Sequence, residues 1–158
     1  MFSVGDLVVH PMHGAGVIDD IVREWVAGST QEYYVFKMPV GGLLLKIPIA
    51  KSQLIGLRAI IGRAEAEQLI SSIPEIVVDQ DSNWNKRYRE NLERLKSGDL
   101  YQVARVIKGL MHRDRRRGLS TGERKMLHSA KQILISEIVL SQDASYEDVE
   151  ARINTALA

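Results

Sequence analysis

The sequence of residues 32–48 is EYYVFKMPVGGLLLKIP. Two runs rich in aromatic and aliphatic side chains lie on either side of Pro39-Val40-Gly41-Gly42, which is a turn signal. Short apolar runs separated by proline and glycine are typical of β-strands joined by a tight turn. This segment therefore predicts two successive strands and makes the N-terminal part of the chain a β structure.

The residues before this segment follow the same pattern. Leu7–His10 is short and β-prone, and residues 11–16 form a turn. Residues 17–26 are a second β-prone run, and residues 27–30 carry a turn signal that predicts a hairpin. Four or five short strands with tight turns in about 50 residues predict a small, curled SH3-like or Tudor-like barrel.

From about residue 57 onward the apolar residues recur at helical spacing. This spacing predicts a short helix up to Pro74 and four longer ones: residues 83–96, residues 100–117, a helix that follows Ser120 and includes Ile138, and a last helix that ends at about residue 157. The polar residues 79–82 offer an N-cap for the first of the longer helices. Ser120 and Glu123 form a capping box at the start of a later one.

Within helix 100–117 an apolar stripe lies opposite a row of basic residues at helical spacing: Arg105, Lys108, His112, Arg115 and Arg116. The next helix is predicted to bury Leu127 and Ala130 while its early turns expose Arg124 and Lys125. The predicted fold is thus α+β and multidomain. A Tudor-like β-barrel at residues 1–56 is followed by an all-α helical domain at residues 57–158.

The composition excludes several classes of protein. The chain has no cysteine, so it has neither a disulfide framework nor a thiolate nucleophile or metal site. Its N-terminus lacks the basic start and apolar run of a signal peptide, and no apolar stretch approaches the roughly 20 residues that span a bilayer. We expect a cytoplasmic protein that does not interact with membranes.

The charge is distributed unevenly along the chain. Residues 1–56 carry four basic and five acidic side chains, whereas residues 82–131 carry fourteen basic and five acidic ones, a net of +9. A block of this kind is typical of a surface that meets nucleic-acid phosphates. The alternative is a set of solvated helix faces, which the charge count alone does not exclude.

Catalysis and metal binding have little support in the sequence. His10 and His13 flank a turn, and only Asp6, Asp19 and Asp20 are close enough in sequence to complete a metal site. The glycine-rich segment at residues 41–46 lacks the spacing of a phosphate loop and runs into a strand. We expect no enzymatic activity, no cofactor, no metal and no small-molecule substrate.

Trp84 has two interpretations. It begins a predicted helix directly ahead of the basic residues Lys86, Arg87 and Arg89, so an exposed ring could insert beside an unstacked base in a minor groove. However, Trp84 shares one helix face with Tyr88, Leu92 and Leu95, and a tryptophan at that spacing is more often part of a core.

Several motifs resemble those of the CarD/CdnL family of bacterial transcription regulators. They are FSVGDLVVHPMHG at residues 2–14, EYY at 32–34, KIP at 46–48, NWNKRYR at 83–89, SGD at 97–99, RD at 113–114 and RGLSTGERKML at 117–127. The repair-coupling helicase family carries a module similar to the N-terminal motif. The combination with the helical motifs is specific to CarD/CdnL.

The resemblance implies that a Tudor-like N-terminal domain binds the RNA polymerase β subunit and that the helical domain contacts promoter DNA. It implies that Trp84 acts as a minor-groove wedge at the upstream edge of the transcription bubble and stabilises the open complex. It also implies backbone contacts to DNA by five cations: Lys86, Arg87, Arg89, Arg124 and Lys125.

One feature of the polymerase-binding surface departs from the family. Where some relatives use two arginines on adjacent strands, this chain has Glu24 and Lys46. Lysine lacks the planar fork of arginine, and Glu24 inverts the charge. Two alternatives follow: the polymerase has compensating changes on its own surface, or Arg23 takes over part of the role. The predicted polymerase-binding residues are Arg23, Glu24, Val26, Leu44 and Lys46.

We therefore expect a monomeric regulator of the promoter open complex that is nucleoid-associated through RNA polymerase. Two other hypotheses stay open at the level of sequence. The chain could be an architectural DNA-binding protein that acts without polymerase, or an adaptor whose β domain binds a different protein.

Overall fold

The computed structural model describes residues 1–78 and 83–158. In that part of the chain one antiparallel sheet has the order β4-β3-β2-β1-β5. Its strands are β1 Leu7–His10, β2 Gly14–Val26, β3 Ser29–Lys37, β4 Leu44–Pro48 and β5 Arg58–Ala59. The predicted strands are confirmed, and β2 begins three residues earlier than the sequence suggested.

The β2–β3 hairpin closes on two residues, Ala27 and Gly28, both with positive φ (49° and 83°). Positive φ at both central positions belongs to the turn whose twist matches that of the flanking strands. Ser29 and Thr30, predicted as part of the turn, therefore already pair with Val26 and Trp25. The result is a long ribbon whose tip extends beyond the rest of the sheet.

One face of the sheet forms its own hydrophobic core. The buried residues are Val8, Ile18, Tyr34, Phe36, Met38, Ile47 and Leu57. Tyr34 and Phe36 alternate with the partly exposed Tyr33 and Val35 along β3, as expected for a strand with one buried face. The predicted α+β class, with a Tudor-like sheet first and helices after it, is confirmed.

Two single-turn 3₁₀ helices, at Ile49–Lys51 and Ile73–Glu75, flank the first helices of the chain. The α-helices of the described residues are α1 Ser52–Ile55, α2 Arg63–Ser72, α3 Trp84–Lys96, α4 Leu100–Arg117, α5 Thr121–Gln142 and α6 Tyr146–Leu157. None of these helices combines the length and the apolar character that a bilayer-spanning segment needs.

Helices α3 to α6 begin at side-chain caps. Asn83 accepts from the Lys86 amide (2.8 Å), Asp99 from the Tyr101 amide and Ser120 from the Glu123 amide. Each cap satisfies a backbone N–H that the first turn of a helix leaves unpaired. Residues 79–82, which were predicted to cap α3, lie outside the described residues.

Helix α5 is the central element, because it packs against the other helices and against the sheet. Six consecutive residues, 133–138, are buried, so every side of the helix is covered there. On the sheet side the Ala15 amide donates to the buried Ser136 hydroxyl at 3.0 Å. The predicted boundary at residues 56/57 stays a prediction, and β5 (Arg58–Ala59) on its far side pairs with β1.

Two side chains differ from the predicted helix faces. The Lys108 ammonium, in the basic row opposite the apolar stripe of α4, donates to the carbonyl oxygens of Ile73, Pro74 and Ile76 at 2.8–2.9 Å. It thereby satisfies the 3₁₀ turn that follows α2. In α5, Met126 is buried, whereas Leu127, which was predicted to be buried, is half-buried and packs against the helical core.

Candidate nucleic-acid interface

Trp84 lies at the surface where α3 begins, with 43% of the residue exposed. Its indole Nε1 donates to Ser120 Oγ at 3.0 Å, and its ring stacks on Tyr88 with centroids 4.9 Å apart and planes 15° apart. A Cβ added at Gly122 would lie 3.6 Å from the Tyr88 ring and 3.8 Å from the Trp84 ring. The ring therefore rests against the start of α5 with part of its surface open to solvent.

The predicted apolar face of α3 is exposed at the first turn of the helix and buried at its last turn. Below Trp84, Tyr88 and Leu92 are half-buried against the helical core, and Leu95 is fully buried. The helical spacing thus correctly predicted that the later turns of α3 pack into a core. It was wrong for Trp84, because α5 begins beside that ring and covers only one side of it.

A buried carboxylate lies beneath this surface. Glu123 is 2% exposed, and its oxygens lie 2.9 Å from Arg87 Nε and 3.9 Å from Arg113 Nε. The Ser120 hydroxyl also contacts it, at 3.3 Å. Burial alone would raise the pKa of Glu123, but the hydrogen bond and charge of Arg87, with Arg113 and Ser120, outweigh burial and hold that pKa below its usual value.

Ser120 joins the ring to this buried pair. Its hydroxyl contacts the Trp84 indole, the Glu123 amide and the Glu123 carboxylate. The capping prediction for Ser120 is confirmed, and the same hydroxyl fixes the indole. Nothing in the sequence indicated the Trp84–Ser120 contact, because the two residues are 36 positions apart and neither belongs to a motif that would pair them.

The cations predicted to bind DNA differ in their surroundings. Lys86, Arg89, Arg124 and Lys125 are exposed, and we call these four the basic rim. Arg124 Nε donates to the Leu119 carbonyl (3.2 Å), and Lys86 lies 3.9 Å from Glu90. Arg87 is different: only 17% of its side chain is exposed, and its guanidinium is engaged by Glu123.

Three further arginines were not among the predicted site residues. Arg115, Arg116 and Arg117 are exposed in the last turn of α4, just before Gly118 turns the chain into α5. Cations in the last turn of a helix also interact favourably with its dipole, so their position has a local explanation too. The sequence signal for them was the basic block itself.

The residues predicted to bind polymerase lie on the β2–β3–β4 part of the sheet. Lys46 forms an ion pair with Glu24 across β3, and both side chains are substantially exposed. Val26 follows Glu24 at a spacing of two, and Leu44 precedes Lys46 at the same spacing, so these four share one face. We call them the outer sheet face.

Arg23 does not belong to that face. It pairs with its cross-strand neighbour Glu32 at 3.6 Å on the opposite side of the ribbon. Arg23 and Glu24 therefore lie on opposite faces, because alternate residues of a strand point to opposite faces. The predicted contribution of Arg23 to polymerase binding stays a prediction. Trp25, beside Arg23, is 75% exposed near the ribbon tip and was not among the predicted site residues.

The two histidines near the first turn contact each other. The His10 and His13 rings are 4.6 Å apart, and His10 Nδ1 accepts from the Met12 amide at 3.2 Å. Burial, with the charge of His13, lowers the pKa of His10 to about 4, so His10 is neutral at physiological pH. Among the described residues no three potential metal ligands cluster together.

Comparison with known proteins covers both halves of the chain. A family model described as the CarD-like/TRCF RID domain matches residues 2–61, and one described as the CarD C-terminal domain matches residues 68–154. The chain belongs to the CarD-like family. The match to the C-terminal model matters most, because the N-terminal model alone is shared with the repair-coupling helicases. The resemblance inferred from the motifs is confirmed.

A relative of known name agrees with this assignment. The chain is 28% identical over 151 residues to the Bacillus subtilis (strain 168) protein named "Putative transcription factor YdeB". The alignment covers 96% of this chain and 99% of that protein, so both have the same two-part organisation. This CarD-like chain is thus a member of a family of transcription regulators.

Proposed function

We propose that this CarD-like protein binds the RNA polymerase β subunit through its sheet and stabilises the promoter open complex with Trp84. The observation that carries the proposal is the partly exposed indole, held at the start of α3 by Ser120 and Tyr88. The indole would insert into the minor groove at the upstream edge of the transcription bubble. There it would slow the re-pairing of the melted strands.

The chemistry of the ring suits this role. An apolar aromatic surface gains contact area when it packs against an unstacked base, and side chains of this kind commonly wedge into minor grooves. Trp84 is already immobilised by one hydrogen bond and one stacked ring. Little conformational entropy would therefore be lost when the ring engages DNA.

The basic rim would anchor the DNA backbone on either side of Trp84. Lys86 and Arg89 lie on α3, and Arg124 and Lys125 lie in the first turn of α5. The N-terminus of a helix also favours phosphate. We assign Arg87 a different role from the one the family resemblance implied: it holds α3 against α5 through Glu123 and thereby orients Trp84.

The outer sheet face is the proposed polymerase-binding surface, with Glu24, Val26, Leu44 and Lys46 as contacts. Its exposed apolar and charged groups are suited to a polar protein interface. We propose that residues 1–56 bind the polymerase and residues 57–158 bind DNA. Tethering to polymerase would raise the local concentration of the basic rim near the promoter, so affinity for free DNA can stay modest.

In this role the protein acts as a monomer in the cytoplasm and reaches the nucleoid through RNA polymerase. It needs no cofactor, because the proposed mechanism consists of binding alone. The stabilising contact is made only with melted DNA, since an intact duplex offers no unstacked base beside the groove.

The proposal is tested by the lifetime of open complexes after a competitor challenge, with and without the protein. Trp84→Ala should shorten the lifetime to that without protein while polymerase binding is retained. Tyr101→Ala is the matched control, because Tyr101 is an aromatic residue of the same 43% exposure on α4. A lifetime that Trp84→Ala leaves unchanged would refute the wedge.

Binding measurements with the same purified protein distinguish the two other hypotheses. An architectural protein would bind duplex promoter DNA tightly without polymerase, and its binding would weaken steeply with salt. An adaptor for another protein would fail to retain the polymerase β subunit in a pull-down with the full chain. Either result would replace the proposal.

A further inference from the structure

Helix α5 connects the two proposed binding surfaces. Its N-cap, Ser120, holds the Trp84 indole, and Ser136 in its middle accepts the Ala15 amide of β2. Sixteen residues separate these two serines, which corresponds to about 24 Å of helix. A rise of 1.5 Å per residue is fixed by backbone hydrogen bonds, so α5 can serve as a strut of defined length.

A second polar contact between α5 and the sheet involves Glu137, which is completely buried. Its two carboxylate oxygens accept from Arg58 NH1 and NH2, each at 2.8 Å, and one of them also accepts the Ile61 amide at 2.8 Å. A two-pronged arginine–carboxylate pair fixes orientation as well as distance. This carboxylate is thus tied to the strand β5 and to the segment that follows it.

Arg58 also contacts a third part of the structure, the turn between α3 and α4. Its Nε donates to the Gly98 carbonyl at 2.9 Å, and Gly98 lies in the turn between α3 and α4. The helix that begins with Trp84 ends one residue before Ser97. One guanidinium on the edge of the sheet therefore holds both the strut α5 and the far end of α3.

Close packing around the Arg58–Glu137 pair leaves the sheet little freedom to slide along α5. A Cβ at Gly14 of β2 would lie 2.5 Å from Ser136 Oγ, so the strand approaches α5 as closely as a glycine permits. Ser141, one turn after Glu137, donates to the Ile61 carbonyl at 2.9 Å. The sheet and α5 therefore meet through several directional contacts, with Arg58–Glu137 at their centre.

We propose that the Arg58–Glu137 pair is a positioning joint that fixes where Trp84 lies relative to the polymerase-binding sheet. The inference rests on the proposed function and deepens it. A ligand held at two points gains from the second contact only if the connection matches the distance between the sites. A loosened joint would leave both surfaces intact but would let Trp84 move relative to the upstream edge of the bubble.

The joint is tested first by a distance measurement without polymerase or DNA. The chain has no native cysteine, so spin labels can be attached to cysteines introduced at Lys37 on β3 and Asn85 on α3, both exposed. Glu137→Gln keeps the size of the side chain and removes its charge. We expect it to broaden the distance distribution between the labels, or to shift its maximum.

The matched control is Glu67→Gln. Glu67 also accepts from an arginine at 2.8 Å, Arg152, but this pair joins α2 to α6 inside the helical part and does not reach the sheet. We expect the control to leave the label distance unchanged. Arg58→Lys is a second variant that keeps the positive charge and loses the fork, in case Glu137→Gln does not fold.

The second readout is the open-complex lifetime at saturating protein. Mutations in coupling elements change coupling about 2- to 30-fold, and we expect Glu137→Gln to shorten the lifetime within that range while polymerase binding is retained. A merely structural role would lower the melting temperature and leave both the lifetime and the label distance of the folded variant unchanged. That result would overturn the inference.

The outcomes also separate this inference from the proposed function. If Trp84→Ala shortens the lifetime and neither joint variant does, the wedge stands and the positioning joint is refuted. If none of the three variants changes the lifetime while the label distance broadens, the joint exists and the proposed function is refuted. If Glu137→Gln and Arg58→Lys change neither the label distance nor the open-complex lifetime, both measurements refute the inference.

Discussion

The Trp84 surface and the outer sheet face both carry paired charges, but the two pairs are placed very differently. Beneath Trp84, Glu123 is buried and Arg87 nearly so, and their contact is shared with a serine that also holds the indole. On the outer sheet face, Glu24 and Lys46 are 39% and 56% exposed in their side chains. A buried pair is rigid and costly to break, whereas an exposed pair contributes little and rearranges easily.

This difference suits two kinds of recognition. A side chain that must enter a narrow groove at one point benefits from a fixed geometry, which the buried pair provides. A surface that meets another protein over a wider area can adapt its exposed side chains on contact. The departure from the two-arginine pattern at Glu24 and Lys46 lies on the adaptable surface, where a substitution perturbs the fold least.

The largest expected effect comes from breaking the buried pair. Glu123→Ala would leave Arg87 and Arg113 beside a cavity without their carboxylate, and we expect it to lower the free energy of unfolding by about 3 kcal/mol. Chemical denaturation measures this change. Lys46→Ala is the comparison variant, and a loss of equal size in both would contradict the contrast between the two surfaces.

Acid should weaken the buried pair as Glu123 becomes protonated. Because the pKa of Glu123 is lowered in the folded protein, its contribution to stability is present above the unfolded value of 4.5 and is lost as pH falls below it. We expect Glu123→Gln to flatten the stability profile in that range. A wild-type profile with the same slope as the variant below pH 4.5 would be inconsistent with this assignment.

The basic rim should respond to salt. Replacing Arg124 and Lys125 with alanine removes two proposed phosphate contacts, so the slope of log affinity against log salt should become shallower by about 0.9 for each. Binding of forked DNA measured at several salt concentrations gives the slope. Arg63→Ala, an exposed cation in α2 outside the rim, is the control and should leave it unchanged.

The smallest effect on stability is expected at the outer sheet face. Lys46→Ala should change the free energy of unfolding by about 0–1 kcal/mol, since exposed ion pairs contribute little. It should nevertheless reduce retention of the polymerase β subunit. Arg23→Ala is a matched control, because Arg23 is an exposed, ion-paired cation on the opposite face of the same ribbon. Equal losses of binding in both variants would disprove the assignment of the outer face.

Much of the fold could be predicted from local patterns. The turn at Pro39-Val40-Gly41-Gly42, the capping residues Asp99 and Ser120, and the change from strand to helical period each depend on neighbours in sequence. The hairpin turn was predicted two residues too long, because Ser29 and Thr30 favour turns locally but pair with β2 in the sheet. The local preference of a residue for turns is overridden where the hydrogen bonds between two strands can continue through that residue.

The site was harder to predict, because its contacts join residues that are far apart in sequence. Spacing along α3 favoured a buried Trp84, and only the position of α5 decides how much of the ring is covered. The contacts of Lys108 could not be predicted for the same reason, since the carbonyls it satisfies belong to a turn about 35 residues earlier. The alternation of residues along β2 could have shown in advance that Arg23 and Glu24 lie on opposite faces, once the strand was assigned.

The most direct test of the central claim uses promoter DNA with a fluorescent base analogue at the upstream edge of the bubble. In open complexes with the protein bound, we predict a change in the emission of that base which Trp84→Ala abolishes and Tyr101→Ala preserves. An analogue placed at the downstream edge should not respond. An upstream signal that is the same with wild-type protein and with Trp84→Ala would contradict the claim that the indole contacts the melted DNA.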